Sequence, residues 1–466
     1  MDDGRPLWDP GKDATRSQYP KERSRARHHN PDRRGHANGP RRDSQQQARA
    51  TGFIRRQRKL TAAVFVKALV FGWLAHPKAS LDELARVAAL LGVAIQPQSL
   101  EERFPPEAAE LLRRVLEASI LAVITADAVA IAIWNRFTEG ILLESSTVSL
   151  PEPLRGLFAG CGTSHPQAGN AAVKLTVAWD LKAGRLRGPL LDPGRLNDKE
   201  TALAGEVLPA GSLRVADLGY FQLEHLAAID LHGAYFLSRF QPLTVVYDDQ
   251  GTQWSLLSQL LSRGGPRVDL AIRLGQRARL RCRLLAARVP PEVARQRQER
   301  LRREAAAQRR NVSPEVLALA HGTVFVTHVP TGLLSLDEAL EIGRARWQIE
   351  LLFKLWKRDG QIDESTSQKP DRVLCELYAK LVAMIVQHWV LLVSGWEHVD
   401  RSLVKMAQTI RRYAWELAQA VGRRPQVRRI IAELRLIFRT CCRVDRRKKH
   451  PATCHRLLSL GCEGLT

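Results

Sequence analysis

The sequence is poor in the features that would make it secreted, membrane-bound or repetitive. Its seven cysteines have no repeating spacing, and an odd number cannot all pair within one chain, which argues against a disulfide scaffold. The opening MDDGRPLWDP lacks the apolar core of a signal peptide, so a cytoplasmic location is expected. The most apolar long stretch, 377–396, contains Lys380, Gln387 and His388, so it reads as a buried core helix and no membrane association is expected. No period of 20 to 50 residues recurs, which argues against a solenoid. Between Leu7 and Phe53 there is no Leu, Ile, Val, Met or Phe, so residues 1–52 cannot form a core and are expected to be a disordered basic tail. Acidic residues are the minority charge. Asp plus Glu number 48 against 71 Lys plus Arg, for a net charge of +23. The excess is spread along the chain, which favours a nucleic-acid partner over an anionic membrane surface.

The chain has 466 residues, enough for two to four domains. Residues 53–138 carry helical periodicity and read as a small helical domain, with Ser80 and Glu83 spaced as a capping box. Spacing leaves two readings open for it, a DNA-end reader and a helical cap on the core. Residues 139–240 are rich in strand signals (ILLESSTVSLP, AAVKLTVAWDL, RLRGPLL, SLRVADLGY, AYFLSRF), interleaved with helical NDKETALAGEVL and LEHLAAIDLHG. This pattern predicts an α/β mixed sheet with helices on its faces. Residues 241–320, including the charged run EVARQRQERLRREAAAQRR, interrupt the pattern and read as an insertion domain. A strand returns at TVFVTHVP within residues 321–372, followed by one long helix from Ser335 to about Arg358, and residues 373–466 are helical. In CCRVDRRKKHPATCH the cysteines and histidines lack the paired spacing of a zinc site, and the segment reads as a basic loop.

Ser335 and Glu338 form an S-x-x-E box that fixes the phase of the long helix. In that phase Arg346, Glu350, Lys354 and Lys357 share one face, while Ile349, Leu352, Phe353 and Trp356 occupy the other. Spacing alone also fits an exposed helix with ordinary i,i+4 ion pairs.

GRARWQIELLFKLWK resembles the Y-x2-R-x3-E-x6-K signature of insertion-sequence-four-type DDE transposases, with Arg346, Glu350 and Lys357 in register and Gly343 where the tyrosine is expected. LRVADLGYF resembles the family's second-acid motif and directs attention to Asp217. ESSTVSLP, aligned on Leu150 and Pro151, puts Glu144 at the position of the family's first aspartate. The resemblance covers roughly residues 53–458. It implies a ribonuclease-H-like core with an insertion domain, flanked by a helical N-terminal DNA-binding domain (53–138) for end recognition and a helical C-terminal region. It implies that Glu144, Asp217 and Glu350 are the catalytic acids and bind Mg²⁺ or Mn²⁺. Arg346, Lys354, Lys357 and Arg239 would then contact DNA, and the protein would work as a homodimer on transposon ends and target DNA, associated with the bacterial nucleoid. Trp254 lies in the insertion, where relatives contact DNA and where packing is the other reading. Two alternatives accompany these expectations: a degenerate transposase that only binds DNA, suggested by Glu144 and Gly343, and a ribonuclease-H-like nuclease that does not transpose.

Overall fold

A computed structural model of the chain describes residues 51, 60–124, 126–161, 171–255, 265–307, 309–444 and 453–459; apart from Thr51, the expected basic tail lies outside them. Four helices come first: α1 (Ala62–Ala75), α2 (Leu81–Leu90), α3 (Pro97–Glu101) and α4 (Pro106–Leu121). The capping box at α2 forms as the sequence predicts. The Ser80 hydroxyl accepts from the Glu83 N–H, and the Glu83 carboxylate accepts from the Ser80 N–H.

The sheet begins with an antiparallel meander of β1 (Gly140–Leu150), β2 (Ala171–Asp180) and β3 (Leu186–Pro193). Nearly all of β2 is buried, as expected of a strand covered on both faces. On the other side of β1 lies β4 (Leu213–Ala216), in parallel pairing, then helix α5 (Leu223–Leu231) and β5 (Tyr235–Arg239), parallel to β4. Spatial order 3-2-1-4-5 with this pairing is the ribonuclease-H-like α/β arrangement expected from the sequence.

Beyond β5 the chain continues through β6 (Val246–Tyr247), β7 (Gln253–Trp254), β8 (Arg267–Leu274), β9 (Leu280–Arg288), α6 (Pro291–Ala307), α7 (Pro314–Leu319) and β10 (Gly322–Thr327). β10 pairs antiparallel with β5 on one side and with β9 on the other, so the strands of the inserted segment extend the same sheet to ten strands. Trp254 is tied within this segment, its indole N–H donating to Asp248 at 3.0 Å.

The C-terminal half is helical: α8 (Leu336–Ala345), α9 (Trp347–Arg358), α10 (Pro370–Gly395), α11 (Leu403–Arg412), α12 (Ala414–Ala420), α13 (Arg424–Cys441) and α14 (Thr453–Ser459). α10 is long and apolar enough to cross a membrane by length and composition, but 83% of its most apolar window is buried within the fold. One face of the sheet packs Leu142, Val173, Leu175, Leu213, Val215 and Leu237 against α8, α9 and α10, in a core that also takes Phe65, Leu69 and Trp73 from α1. The N-terminal helices therefore share their core with the sheet. The other face buries Ile141, Leu143, Ala178, Ala216 and Phe236 with α5. Each fully buried Leu or Phe contributes about 1.5–3 kcal/mol.

Two local expectations are corrected. The single helix expected from Ser335 to Arg358 is broken at Arg346, whose carbonyl accepts from the Ile349 N–H three residues on at 3.2 Å. The two halves have different supports: Gly343 near the end of α8 lies against the Phe325 ring on β10, whereas Lys357 of α9 donates to the Thr147 carbonyl of β1 at 2.9 Å. NDKETALAGEVL, expected to be helical, forms only a 3-10 turn at Asp198–Glu200 followed by turns. Here Asn197 accepts from the Lys199 N–H and the Thr201 hydroxyl donates to the Asp198 carbonyl, side-chain bonds that compete with a helical ladder.

Candidate active site

Side chains alternate along a strand, so Leu142, Glu144 and Ser146 of β1 share a face, as do Leu213, Val215 and Asp217 of β4 and its end. Leu142, Leu213 and Val215 belong to the core beneath α8, α9 and α10, so Glu144 and Asp217 project on the same side. The parallel register ends at Leu143 opposite Ala216, and the two acids are the next residues along. Asp217 also stands at the entry to the 3-10 turn Leu218–Tyr220, which ends the strand. Glu350 comes to this corner from the first turn of α9.

Arg346 gathers the three acids. Its guanidinium donates to Glu144 Oε2 at 2.5 Å and to Glu350 Oε1 at 2.7 Å, and approaches Asp217 Oδ1 at 3.9 Å. Charge-assisted bonds of this kind are about twice as strong as neutral ones. Exposure grades the acids: the side chain of Glu144 is 16% exposed, Glu350 26% and Asp217 40%. Burial pushes the Glu144 carboxyl up to about 7 despite the lowering influence of Arg346, and the charges of Asp217 and Glu350 add to the rise. One guanidinium cannot balance three carboxylates, so the corner keeps an affinity for further positive charge.

The four residues singled out on α8–α9 do not all point into this corner. Arg346 and Glu350 do. Lys357 is bound to the β1 backbone beyond Glu144, and Lys354 is exposed with its ammonium 3.9 Å above the Trp347 ring. Arg239, at the end of β5 on the same face as Leu237, is exposed and lies outside the ion-paired cluster. Helix α6 supplies two neighbours that the sequence did not single out. Arg297 donates to the Gly322 carbonyl, and burial and the charge of Arg239 lower its pKa. Arg300, whose pKa is raised chiefly by its bond to Glu304, also feels the charge of Glu350.

Sequence reasoning also missed a polar cluster behind β1. Ser145 points away from Glu144, and its hydroxyl donates to Asp198 Oδ1 at 2.7 Å. The buried Lys174 of β2 donates to the same oxygen at 2.6 Å and to the Leu196 carbonyl. An Asp following Asn in a stretch with helical texture gave no signal of this contact.

The residues present fit a divalent cation in the chemistry of their donors: three carboxylates from three elements offer hard oxygens, and they already surround a cationic group. As they stand, no three acid, histidine or cysteine side chains among the described residues gather closely enough to hold an ion, because the guanidinium lies among the acids. Metal binding therefore requires Arg346 to give up its contacts with them.

The transposase DDE domain family matches residues 135–386, a span that contains all three acids. The chain is 26% identical over 367 residues to the transposase for insertion sequence element IS231B of Bacillus thuringiensis subsp. berliner, covering 73% of this chain and 75% of that protein. It is 22% identical over 368 residues to the transposase for insertion sequence element IS1151 of Clostridium perfringens, covering 74% and 77%. A shorter stretch of 101 residues is 33% identical to the putative transposase InsL for insertion sequence element IS186A of Escherichia coli (strain K12), covering 22% of this chain and 27% of that protein. With more than half of its length matched by the family, and the strand order of a ribonuclease-H-like core, the chain belongs to the DDE transposase family.

Proposed function

We propose that this chain is the transposase of a bacterial insertion sequence, which binds the ends of its element, cuts the DNA strands and joins them to a target. Glu144, Asp217 and Glu350 would hold Mg²⁺ or Mn²⁺. Bound there, a pair of such ions supplies Lewis-acid stabilisation of the attacking and leaving oxygens of a phosphodiester. The observation that carries the reading is the convergence of three acids, from the middle of β1, the end of the neighbouring β4 and a facing helix, on one guanidinium.

The chain's own groups then have defined tasks. Arg346, once free of the carboxylates, is placed to bind a DNA phosphate beside the acids through its planar fork. Lys354 and Lys357 lie about one and two turns beyond Glu350 along α9 toward its C-terminus and offer charge to the same strand. Arg239, with Arg297 and Arg300 of α6 nearby, lines the approach from the extended half of the sheet. Homodimers acting in a paired-end complex at the nucleoid fit this function, and residues 53–138 and 373–466 would serve end binding and assembly around the core at 139–240 and 321–372.

The degenerate alternative draws on Gly343 and Glu144. A Cβ at Gly343 would overlap the Phe325 ring, so the space for a tyrosine is already filled, and Glu144 still meets Arg346. Both features fit an altered but intact corner, which favours the active reading. The test is cleavage of DNA carrying the ends of the protein's own element in Mg²⁺ or Mn²⁺. End-specific nicking and strand transfer are expected. Binding without cleavage in either metal would favour the degenerate protein, and cutting indifferent to end sequence would favour a nuclease.

A further inference from the structure

Behind the acids, on the opposite face of β1, one carboxylate connects the middle of β1, which carries Glu144, with the turn after β4 that Asp217 opens. Asp198 Oδ1 accepts from the Ser145 hydroxyl at 2.7 Å, and the Ser145 N–H donates to Glu144 Oε1 at 3.2 Å. A single residue thus relays Asp198 to the first acid. The other oxygen of Asp198 occupies the space a side chain would need at Gly219: a Cβ there would stand 2.5 Å from Oδ2. Gly219 lies in the 3-10 turn that Asp217 opens, so Asp198 is also packed against the turn of the second acid.

The surroundings fix Asp198. Lys174 is only 7% exposed and donates to Asp198 at 2.6 Å, so this carboxylate is held by a buried cation. Removing one partner of such a pair leaves a charge in low-dielectric surroundings, which favours keeping both in place. Tyr220, the last residue of the same 3-10 turn, and Thr176 of β2 are buried beside the cluster, and burial pushes the Tyr220 hydroxyl well above its ordinary pKa despite its contacts with Ser145 and Thr176. Asp198 and Lys174 form the ion pair of this patch, and the half-buried Asp192 of β3 also feels the charge of Lys174.

We propose that Asp198 is a positioning residue of the active site, holding Glu144 through Ser145 and Asp217 through the Gly219 turn at the separation that metal binding requires. The inference rests on the reading of Glu144, Asp217 and Glu350 as metal-binding acids. Groups behind metal ligands typically change affinity or activity by about 10- to 100-fold when removed, and a misplacement of about 1 Å can cost about 100-fold in rate.

The experiment compares full-length Asp198→Ala, Ser145→Ala and Ser145→Thr with the parent protein and with Glu350→Gln. It measures Mn²⁺ binding by electron paramagnetic resonance in the presence of end DNA, the Mn²⁺ dependence of cleavage, DNA-end affinity and the thermal midpoint. Asp198→Ala is expected to weaken Mn²⁺ binding about 10-fold and to slow cleavage about 100-fold, with partial recovery at high Mn²⁺ and unchanged DNA affinity. Ser145→Ala should act in the same direction but less, Ser145→Thr should restore the parent behaviour because it keeps the hydroxyl, and the Asp198→Ala/Ser145→Ala double variant should be no worse than Asp198→Ala alone. Parent-like Mn²⁺ binding in both Asp198→Ala and Ser145→Ala, with cleavage reduced only in proportion to the folded fraction, would overturn the proposal. Should Asp198→Ala not fold, Ser145→Ala alone decides between the two results. If Glu350→Gln abolishes Mn²⁺ binding while the other variants are silent, only this inference fails; if Glu350→Gln also leaves Mn²⁺ binding and cleavage intact, the underlying site assignment fails.

Discussion

The two faces of β1 near its middle carry opposite electrostatic arrangements. In front, Glu144 joins Asp217 and Glu350 around one guanidinium, three carboxylates to one cation. Behind, Asp198 is in direct ion-pair contact with Lys174, and its second oxygen is packed against a turn. The balanced face is built to hold still. The unbalanced face is built to exchange its cation, because a divalent ion can take more from three carboxylates than a singly charged guanidinium can. Neighbouring residues on one strand, Glu144 and Ser145, thus serve opposite ends, and the pleat separates them.

The largest effect expected is on the front face. Glu350→Gln and Asp217→Asn each should lower cleavage by about 10³-fold, equivalent to about 4 kcal/mol, while leaving end binding in gel-shift assays intact. A loss of binding instead would mean that these acids organise the protein and not the reaction. Next in size is Gly343→Tyr, which should destabilise the metal-free protein by about 1–3 kcal/mol in denaturant titration because the ring must displace Phe325. Gly343→Tyr combined with Phe325→Ala should recover part of that loss; an equal loss in both would contradict the steric account.

Lys174→Met removes the cation of the back face and should cost about 1–3 kcal/mol of stability, less than a fully buried pair because the Asp198 side chain is 29% exposed. A similar size of effect is expected from pH on the front face. The Glu144 carboxyl titrates near 7 in the folded protein, above its ordinary value of 4.5, so between these values the folded state keeps a proton that the unfolded state has lost. The resulting stabilisation is complete below about 4.5 and is lost as pH rises through about 7. Metal-free thermal midpoints should fall over that window, and Glu144→Gln should flatten the fall; an unchanged slope would contradict the burial argument.

The sequence made the Arg346–Glu350 pair legible because the two stand four residues apart, but the phase set by Ser335 and Glu338 holds for α8 alone and not past the break. It made β4 and its terminal acid legible through LRVADLGY and a mixed α/β sheet through the succession of strands and helices, while the ribonuclease-H-like order followed from the family resemblance. Other features depend on contacts that no local pattern encodes. Asp198 reaches Ser145 across 53 positions of chain and was read as part of a helix. The break at Arg346 arises because α8 and α9 lean on different strands, and periodicity cannot register a change of support. Alternation in β8 and β9 marks them as strands but does not say that they join the existing sheet through β10. Gly343 reads as a missing tyrosine until Phe325 is seen to fill the space.

The smallest expected effect concerns the outer charges. Lys354→Ala and Lys357→Ala should weaken end binding with little sequence dependence and each reduce the slope of log affinity against log salt by about 1. A slope that stays the same would remove these lysines from the DNA path and confine the contact to Arg346 and the α6 side.

The claim that the front face exchanges Arg346 for a metal is tested most directly by Mn²⁺ binding to the DNA-bound protein, read by electron paramagnetic resonance in the parent, Glu350→Gln and Arg346→Ala. The account predicts bound Mn²⁺ in the parent, none in Glu350→Gln, and tighter Mn²⁺ binding in Arg346→Ala when DNA is left out, because the competing guanidinium is gone. Identical Mn²⁺ binding in all three proteins would contradict it.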